Sequence, residues 1–393
     1  MRSMLYTLVA ALAALLLCGA GAVALPAAAL PASEDDLELL KKGVDHFYNL
    51  EYDQAIAAFE KLRDADPDNP SRQNDVATAY FYKQLYMAGV LQGDLFSSSN
   101  KFFRTKKIQV DPAIEKPFWE ATRAAIRSCE QRLKSDKTDE EALYACGVAY
   151  ATRSTYPGLI ERSKFAFLSS ARKANDYHVR LLRRNPRYYD AYLIPGLFDF
   201  ILGSLPKPLK VLLYFAGLSG DKQRGIQAVI SVTEWGQEAK ESAKILLTIM
   251  YRRERRHADA RQVIEGLATS YPRNYIFPLE VASLYHSEGE DEEAIREYTR
   301  VLEQVRREQA GYAEVPVARI HFELGVLHRD EEDLELALRH LEQVPGSKGS
   351  TPELEKESAL LRQQIEATLQ QQGQTAGDDG DAGKVSARSV STN

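Results

Sequence analysis

The chain has 393 residues, of which 44% are apolar, and its 50 basic and 56 acidic side chains give a formal net charge of −6. This charge has the wrong sign for a protein that binds nucleic acid along a basic surface, so that class is excluded. Three cysteines and seven histidines are too few for a disulfide-rich scaffold or a zinc ribbon. The length allows two or three ordinary domains or one elongated repeat array.

Residues 1–24 have the three-part pattern of an export signal. Arg2 precedes the apolar run Leu8–Leu17, and small residues then follow as far as Ala24. We expect cleavage after Ala24, a linker over residues 25–35, and release of the mature chain. The predicted localisation is the periplasm or the exterior of a bacterial cell.

Two other interpretations of this segment stay open. A lipoprotein signal would modify Cys18, but Leu17 before it is bulkier than such signals normally accept. An uncleaved membrane anchor would use Leu8–Ala24, whose length lies at the short edge of a bilayer span. We prefer cleavage and release, which leaves Cys129 and Cys146 in an oxidising compartment where they can pair.

Small residues recur in phase along the body of the chain. Gly43 precedes Ala55 by 12 residues, Phe59 follows Ala55 by 4, and Pro67 follows Ala55 by 12. This stretch resembles a tetratricopeptide repeat, whose unit is two antiparallel helices in about 34 residues. In such a pair, small residues let the two helix backbones approach closely, and a ring fills the gap to the next unit.

The same phase continues through later segments. A unit of about 34 residues whose small residues are 12 apart requires 22 residues from the second small residue to the first of the next unit. This spacing of 22 residues separates Ala55 from Ala77, Ala125 from Gly147, Ala174 from Gly196, and Ala260 from Ala282. The resemblance implies an all-α, right-handed α-solenoid, and we count about seven helix pairs over residues 36–350.

Three early pairs have stretched interiors. The predicted helical insertions lie near residues 86–116, 153–168 and 203–220. The segment Ser350-Thr351-Pro352-Glu353 is typical of a capped helix start and predicts a capping helix over residues 351–371, which would cover the apolar side of the last pair. Residues 372–393 have almost nothing to bury, so we predict a disordered tail.

No motif for catalysis, metal binding or a cofactor is found. The histidines lack the HExxH spacing, although His321 and His328 share a helix face. The loop Gly217–Gly225 lacks the GK[ST] ending of a phosphate-binding loop, and no serine lies in a GxSxG elbow. We therefore predict no enzyme, metal or cofactor; an α-helical enzyme acting on cell-wall sugars is kept as a third hypothesis.

The two remaining cysteines are placed by the repeat phase at one seam between repeats. Cys129 lies four residues after Ala125, at the position that Phe59 has in the first unit, and Cys146 directly precedes Gly147. Two small buried thiols are the interpretation that we prefer. A structural disulfide stays open as the alternative.

The tetratricopeptide-repeat resemblance implies that a partner binds in a concave groove lined by the first helix of each pair. The candidate partner-binding residues at these phases are Phe47, Tyr48, Asn74, Phe81, Tyr82, Tyr144, Phe200, Arg252 and Arg253. Aromatic residues and arginine are typical of recognition surfaces. The alternative is that the insertions fold into the groove and bury these rings. The carboxylate clamp of chaperone-binding members is absent, because Leu40 and Val44 stand at its positions.

The insertion within Asp199–Gly225 has its own pattern. Its string SLP…L…GxSGD…G resembles the middle of the tetratricopeptide-repeat 39 and inclusion-body-clearance proteins, which implies a shared variant of the array rather than a shared task. Leu209–Leu218 is too short to span a bilayer, and Lys207 and Lys210 lie beside it. We predict a packed helical excursion.

The sequence thus favours an exported, non-catalytic adaptor that binds a protein or peptide partner of the cell envelope in its concave groove. This activity comes from the resemblance, whereas the fold comes from the spacing. The alternative function is binding to lipid or to a membrane surface through the apolar residues 205–218.

Overall fold

The computed structural model describes residues 33–91, 110–160, 168–215 and 218–385. Within these ranges the chain forms α-helices and one short 3-10 helix, and no strand. The predicted fold class, an all-α solenoid of helix pairs, is confirmed. The predicted export signal lies outside the described residues, as do 92–109 and 161–167 within two of the predicted insertions. The chain divides into unit 1, Met1–Leu284, and unit 2, Tyr285–Asn393.

Unit 1 contains eleven described helices and the start of a twelfth. They are α1 Glu34–Tyr48, α2 Tyr52–Ala65, α3 Pro70–Met87, α4 Pro112–Ser135, α5 Glu140–Leu159, α6 Leu168–Arg184, α7 Leu193–Ser204, α8 Lys207–Phe215, α9 Lys222–Trp235, α10 Lys240–Arg253, α11 His257–Ser270 and α12 Ile276–Glu288. The pairs in contact are α1 with α2, α3 with α4, α5 with α6, α7 with α9, and α10 with α11. Helix α8 is therefore the excursion inserted into the fourth pair.

Unit 2 contains four further helices, with α14 paired to α15. They are α13 Asp291–Arg306, α14 Val317–Asp330, α15 Leu334–Glu342 and α16 Pro352–Val385. Helix α16 packs on α14 and α15, where Ile365 and Leu361 join an apolar cluster with Ala337 and Leu341. It caps the last pair, as the sequence predicts.

The bounds of α16 differ from the prediction at one end. Its start has the expected cap, since the Thr351 hydroxyl accepts from the Leu354 N–H at 3.2 Å. Its end is Val385, so the predicted boundary at residue 371 lies inside a helix, and part of the tail predicted to be disordered, 372–393, is helical. The segment from 370 to 385 contains no proline, so no residue there blocks the helical hydrogen bonds.

The phased small residues lie where paired helices touch. A Cβ atom on Gly43 would lie 2.5 Å from Cε1 of Phe59 on the partner helix α2. A Cβ atom on Gly225 of α9 would lie 2.6 Å from the main-chain oxygen of Gly196 on α7. Ala77 and Ala282 are fully buried. The spacing that predicts the repeat therefore reflects a steric requirement for close helix crossings.

The turns from one pair to the next share a backbone hydrogen bond. An N–H donates to the carbonyl three residues before it at each of four turns: Asn69 to Asp66 at 3.2 Å, Asp139 to Asp136 at 3.3 Å, Tyr188 to Asn185 at 3.1 Å, and Asn274 to Tyr271 at 3.0 Å. Asn69 and Asp139 also cap the helices that follow. These common turns give successive pairs the same local connection.

A disulfide joins the second pair to the third. The sulfurs of Cys129 on α4 and Cys146 on α5 are bonded, with a Cα–Cα distance of 5.5 Å. Both cysteines are fully buried, in a cluster that includes Leu133, Leu143 and Leu181. The seam predicted from the phase is correct, but the preferred interpretation of two separate thiols is wrong.

The turn inside each uninterrupted pair holds one residue in the left-handed region. These residues lie seven positions after the first small residue of their pairs: Leu50 with φ 65°, Arg255 with φ 59°, Gly289 with φ 80°, and Glu332 with φ 63°. Left-handed backbone costs an L-residue about 1–2 kcal/mol, whereas glycine adopts it freely. Only one of these four turns has glycine, the residue that this conformation favours.

We therefore expect Arg255→Gly and Glu332→Gly each to raise the free energy of unfolding by about 0.5–1 kcal/mol, because both side chains are exposed and lose no packing. Gly289→Ala is the matched reverse change. No atom lies within 4 Å of the added Cβ, so the expected loss of about 1 kcal/mol comes from backbone strain alone. Urea unfolding of the three variants measures the effect, and unchanged midpoints would show that these turns carry no strain.

Candidate functional site

Most of the predicted groove residues are buried. Phe47, Tyr48, Asn74, Phe81, Tyr144 and Phe200 are each at most 4% exposed. Tyr82, Arg252 and Arg253 are partly buried. The prediction of an open aromatic groove therefore needs correction: the six buried side chains belong to the core of unit 1. The rings are buried, but the contacts that the structure describes come from helices of the array, so burial by the insertions stays a prediction.

The rings bury one another. Phe47 of α1 contacts Tyr48, Tyr52 and Tyr82, with ring centroids 5.1, 5.6 and 5.2 Å apart. Phe81 on α3 continues the series to Phe118 on α4 at 5.9 Å. Such edge and tilted contacts are the usual geometry of aromatic clusters. The first two pairs are thus joined through aromatic packing.

The first helix pair also contacts the fifth helix pair and the loop that follows it. The hydroxyls of Tyr48 and Ser242 on α10 are hydrogen-bonded at 2.9 Å, and the rings of Tyr48 and Tyr271 lie 5.0 Å apart. The Asn274 side-chain amide donates to the Tyr48 carbonyl at 2.7 Å, across 226 positions of sequence. Tyr48 is therefore enclosed by residues from the far end of unit 1.

Arg273 adds charge to this contact. Its guanidinium donates to Asp45 at 2.6 Å and to Glu51 at 2.7 Å. The main-chain N–H of Arg273 donates to the side-chain oxygen of Asn49 at 3.0 Å. Burial raises the pKa of Glu51, but hydrogen bonds from Arg273 and His46 outweigh it, so the net shift is downward. We call the set Tyr48, Ser242, Arg273 and Asn274 the closure contact.

Arg252, a predicted groove residue, is held by the interior. It forms an ion pair with Glu280 of α12 and donates to the Ser283 hydroxyl at 2.8 Å. Burial raises the pKa of Glu280 to about 7, and the Arg252 charge opposes that rise. Because only 11% of its side chain is exposed, Arg252 is engaged inside unit 1.

Two other predicted residues lie together with unused hydrogen-bonding atoms. The Asn74 amide of α3 donates to the Ala145 carbonyl of α5 at 3.0 Å. The Asn74 carbonyl oxygen and the Tyr144 hydroxyl, both buried, have no hydrogen-bond partner among the described residues. A buried polar atom without a partner costs about 1–3 kcal/mol, so native proteins hold few of them.

The surroundings of Tyr144 are acidic. Burial raises its pKa, and the carboxylates of Glu238, Asp190 and Asp75 raise it further. Arg72 is the nearby cation, 3.6 Å from Asp75. We call Arg72, Asn74, Asp75, Tyr144 and Glu238 the interior polar cluster.

Asp190 fixes the loop that carries Glu238. Its carboxylate accepts hydrogen bonds from the N–H groups of Gln237 at 2.9 Å, Glu238 at 3.0 Å and Ala239 at 2.8 Å. Sequence reasoning missed Asp75, Asp190 and Glu238. Asp75 directly follows Asn74, which offered a signal, whereas nothing in the sequence separates Glu238 from the many surface carboxylates.

Helix α8 exposes an apolar surface. Val211, Tyr214 and Phe215 are 58%, 70% and 83% exposed, and we call them the α8 patch. They also line a cavity of about 320 Å³, together with Leu202 and Leu213. None of the described helices is both long enough and apolar enough to cross a bilayer.

In unit 2, His340 lies beside His321 and His328, the two histidines predicted to share a helix face. The Nδ1 atoms of His321 and His340 are 3.0 Å apart, and the His328 ring stacks on His340 at 5.3 Å. Burial lowers the pKa of His340 to about 4, with help from the two neighbouring histidines. Over the described ranges, no group of three or more His, Cys, Asp or Glu residues is arranged to hold a metal ion.

The paired helices, the small residues at their crossings and the capping helix define a tetratricopeptide-repeat-type solenoid. Similar solved structures include a tetratricopeptide repeat protein from Parabacteroides merdae, 15% identical, covering 84% of this chain and 100% of that one with a TM-score of 0.33. Yeast Tom70 is 11% identical over 86% of this chain and 90% of its own, with a TM-score of 0.27.

The Cut9–Hcn1 hetero-tetramer of the APC/C is a third similar structure, 16% identical over 80% of this chain and 79% of the matched chain, with a TM-score of 0.18. No protein-family model matches the chain, and no curated protein matches it. Likeness at these identities concerns the fold alone. The predicted resemblance to the tetratricopeptide-repeat 39 proteins stays a prediction.

Proposed function

We propose that the chain is a non-catalytic scaffold that binds a segment of a partner protein at the interior polar cluster of unit 1. The observation that supports this is the pair of buried, unpartnered polar atoms on Asn74 and Tyr144. Both residues lie on first helices of their pairs, at positions that the repeat phase assigns to the concave side. Buried polar atoms that cost this free energy can form hydrogen bonds with a partner segment.

The chemistry of the cluster favours a segment rich in hydrogen-bond donors. The unpartnered oxygen of Asn74 can only accept, and the Tyr144 hydroxyl can accept as well as donate. The carboxylates of Glu238 and Asp75 lie near Tyr144, and Arg72 lies 3.6 Å from Asp75. Backbone N–H groups of the partner fit the Asn74 oxygen and the Tyr144 hydroxyl.

Binding requires the closure contact to separate. Its ion pairs are partly exposed, with 31% of the Arg273 side chain and 48% of the Asp45 side chain accessible to solvent. Ion pairs of this kind contribute about 0–1 kcal/mol each, because water screens them. Breaking these ion pairs therefore costs only a small free energy when the first helix pair moves away.

We further propose that this binding takes place outside the cytosol, with a partner of the cell envelope. The support is the export-signal pattern of residues 1–24 together with the bond between Cys129 and Cys146. Disulfides persist in oxidising compartments and are rare in the cytosol.

Replacing Tyr144 by phenylalanine separates function from stability. Tyr144→Phe removes a hydroxyl that has no partner in the described structure, so we expect the free energy of unfolding to rise by about 1 kcal/mol. At the same time we expect capture of envelope proteins by the immobilised chain to weaken. Urea unfolding and quantitative pull-down from envelope extracts measure the two effects.

Tyr150→Phe is the matched control. The Tyr150 hydroxyl donates to Glu130 at 2.7 Å and accepts from Lys173 at 3.1 Å, so its loss should lower stability and leave capture unchanged. Asn74→Ala should weaken capture of the same proteins as Tyr144→Phe. Equal recovery of those proteins by wild type and both cluster variants would refute binding at this site.

A further inference from the structure

We propose that α8 is a membrane-contact element that docks unit 1 onto the surface of an anionic lipid bilayer. The α8 patch is separate from the interior polar cluster, so this inference does not depend on the scaffold function. Three features of α8 support it: which side chains point outward, which charges surround them, and how long the helix is.

The outward side of α8 is apolar. A surface helix normally buries its apolar side chains and presents polar ones to water. Here Leu209 and Leu213 are already half-buried against the protein, yet Val211, Tyr214 and Phe215 stand mostly exposed on the other side. A cluster of exposed apolar side chains of this kind marks an interaction site for a protein or a membrane, and the surrounding charges select between the two.

The charges around the patch have one sign. Lys207 and Lys210 in the first half of α8 are exposed and form no ion pair within the described structure. The sequence from 205 to 220 contains no acidic residue. Each lysine near an anionic membrane surface contributes about 1 kcal/mol of attraction, so the segment complements anionic lipid headgroups.

Acidic groups near α8 have partners of their own. The Asp221 side chain, which follows this segment, accepts from the Arg224 N–H at 2.8 Å. Asp199 is paired with Arg224 through two hydrogen bonds, at 2.5 and 2.6 Å. Glu254 is paired with Lys222 at 2.5 Å. Lys207 and Lys210 form no ion pair with Asp199, Asp221 or Glu254, so both ammonium groups are available to lipid headgroups.

The length of α8 suits a position in the membrane surface. Its nine residues make a helix about 14 Å long, far short of a bilayer span. Tyrosine and phenylalanine rings insert readily at the headgroup boundary, and lysine stems extend so that the ammonium stays in water. The helix would lie flat, with the α8 patch inserted and the two lysines at the headgroups.

Vesicle co-sedimentation of the full chain tests the proposal. The probes are vesicles of phosphatidylcholine alone and of phosphatidylcholine mixed with phosphatidylglycerol. We expect Tyr214→Ser with Phe215→Ser to weaken binding to the mixed vesicles roughly tenfold or more. Lys207→Gln with Lys210→Gln should weaken binding to the mixed vesicles roughly thirtyfold and change binding to the neutral vesicles little.

Trp235→Ser is the control, because Trp235 is an exposed aromatic residue outside α8, 63% accessible to solvent. We expect it to bind the vesicles as the wild type does. Far-UV circular dichroism checks that all variants keep their helices. The apolar segment near the N-terminus is the same in every variant, so differences between variants report on α8 alone.

A second measurement reads insertion directly. A Phe215→Trp variant is compared with the wild type, whose tryptophans are Trp119 and Trp235. The emission added by the variant should shift to shorter wavelength on mixed vesicles and be quenched by brominated lipid. Equal vesicle binding by wild type and the Tyr214→Ser, Phe215→Ser variant would overturn the proposal. So would unchanged vesicle binding in a variant that loses self-association by light scattering, because the patch would then contact a second copy of this chain.

Discussion

Replacing Gly225 by alanine is expected to lower the free energy of unfolding by about 3 kcal/mol, the upper end of the cost of overpacking. The added Cβ would lie 2.6 Å from the Gly196 oxygen and 2.6 Å from the Phe200 nitrogen, both in the main chain of α7. Main-chain atoms cannot rotate aside as a side chain can. The α7 and α9 helices would have to separate along their whole crossing.

Gly266→Ala makes the same chemical change without the clash. Gly266 lies in α11, and a Cβ there would have no neighbouring atom within 4 Å. Alanine favours a helix over glycine by about 0.5–1 kcal/mol, so this variant should be more stable than the wild type. Urea unfolding and thermal melting compare the two variants. A similar shift for both would mean that close packing of α7 on α9 does not hold the fourth pair.

The Gly225→Ala change should also affect α8. The fourth pair, α7 and α9, flanks the excursion on both sides in sequence, and Gly203 and Gly220 continue the close packing at its base. A Cβ on Gly220 would lie 2.6 Å from the Asp199 oxygen. Loosening this pair should therefore disturb the position of the α8 patch, so Gly225→Ala is expected to weaken vesicle binding without touching an exposed side chain.

The helix pairs could be predicted from the sequence because their determinants are local. Gly325 and Ala337 lie 12 residues apart and meet across one crossing, where a Cβ on Gly325 would lie 3.4 Å from the Ala337 oxygen, so their spacing records a contact. The seam that brings Cys129 to Cys146 follows from the same phase. Whether the two sulfurs bond does not follow from spacing, because a buried thiol and a disulfide fit the same position.

The state of the groove could not be predicted in this way. The phase assigns Tyr48 and Tyr144 to the side facing inward, but their burial depends on where α1 comes to lie after several successive pairs. The Tyr48 contact with Ser242 spans 194 positions, and each intervening pair adds its own rotation. No local sequence pattern encodes the total rotation of these pairs, so the same side chains could line an open groove or a closed core.

Helix α8 could also be predicted only in part. Its apolar residues and lysines are visible in the sequence, which allowed a packed excursion or a membrane contact. The tertiary packing leaves Leu209 and Leu213 half-buried and Phe215 83% exposed, which composition does not determine. The composition suggested the chemistry of the surface, and the packing selected the side chains that present it.

Removing the disulfide is expected to have an effect of similar size. Changing Cys129 and Cys146 together to alanine should lower the free energy of unfolding by about 3 kcal/mol, because the bond closes a loop of 17 residues in the unfolded chain. Urea unfolding with and without reductant measures the effect. The wild type should lose stability on reduction, whereas the double variant should be insensitive to the reductant.

The disulfide also lies next to the interior polar cluster. Cys146 follows Ala145, whose carbonyl accepts from Asn74 at 3.0 Å, and Tyr144 is one residue further back on α5. A bond that holds α5 against α4 therefore fixes the helix that presents the Tyr144 hydroxyl. Reduction should weaken partner capture by more than the Tyr150→Phe control does. If reduction leaves both stability and capture unchanged, the bond does not constrain this seam, and the geometry of the cluster must be set by helix packing alone.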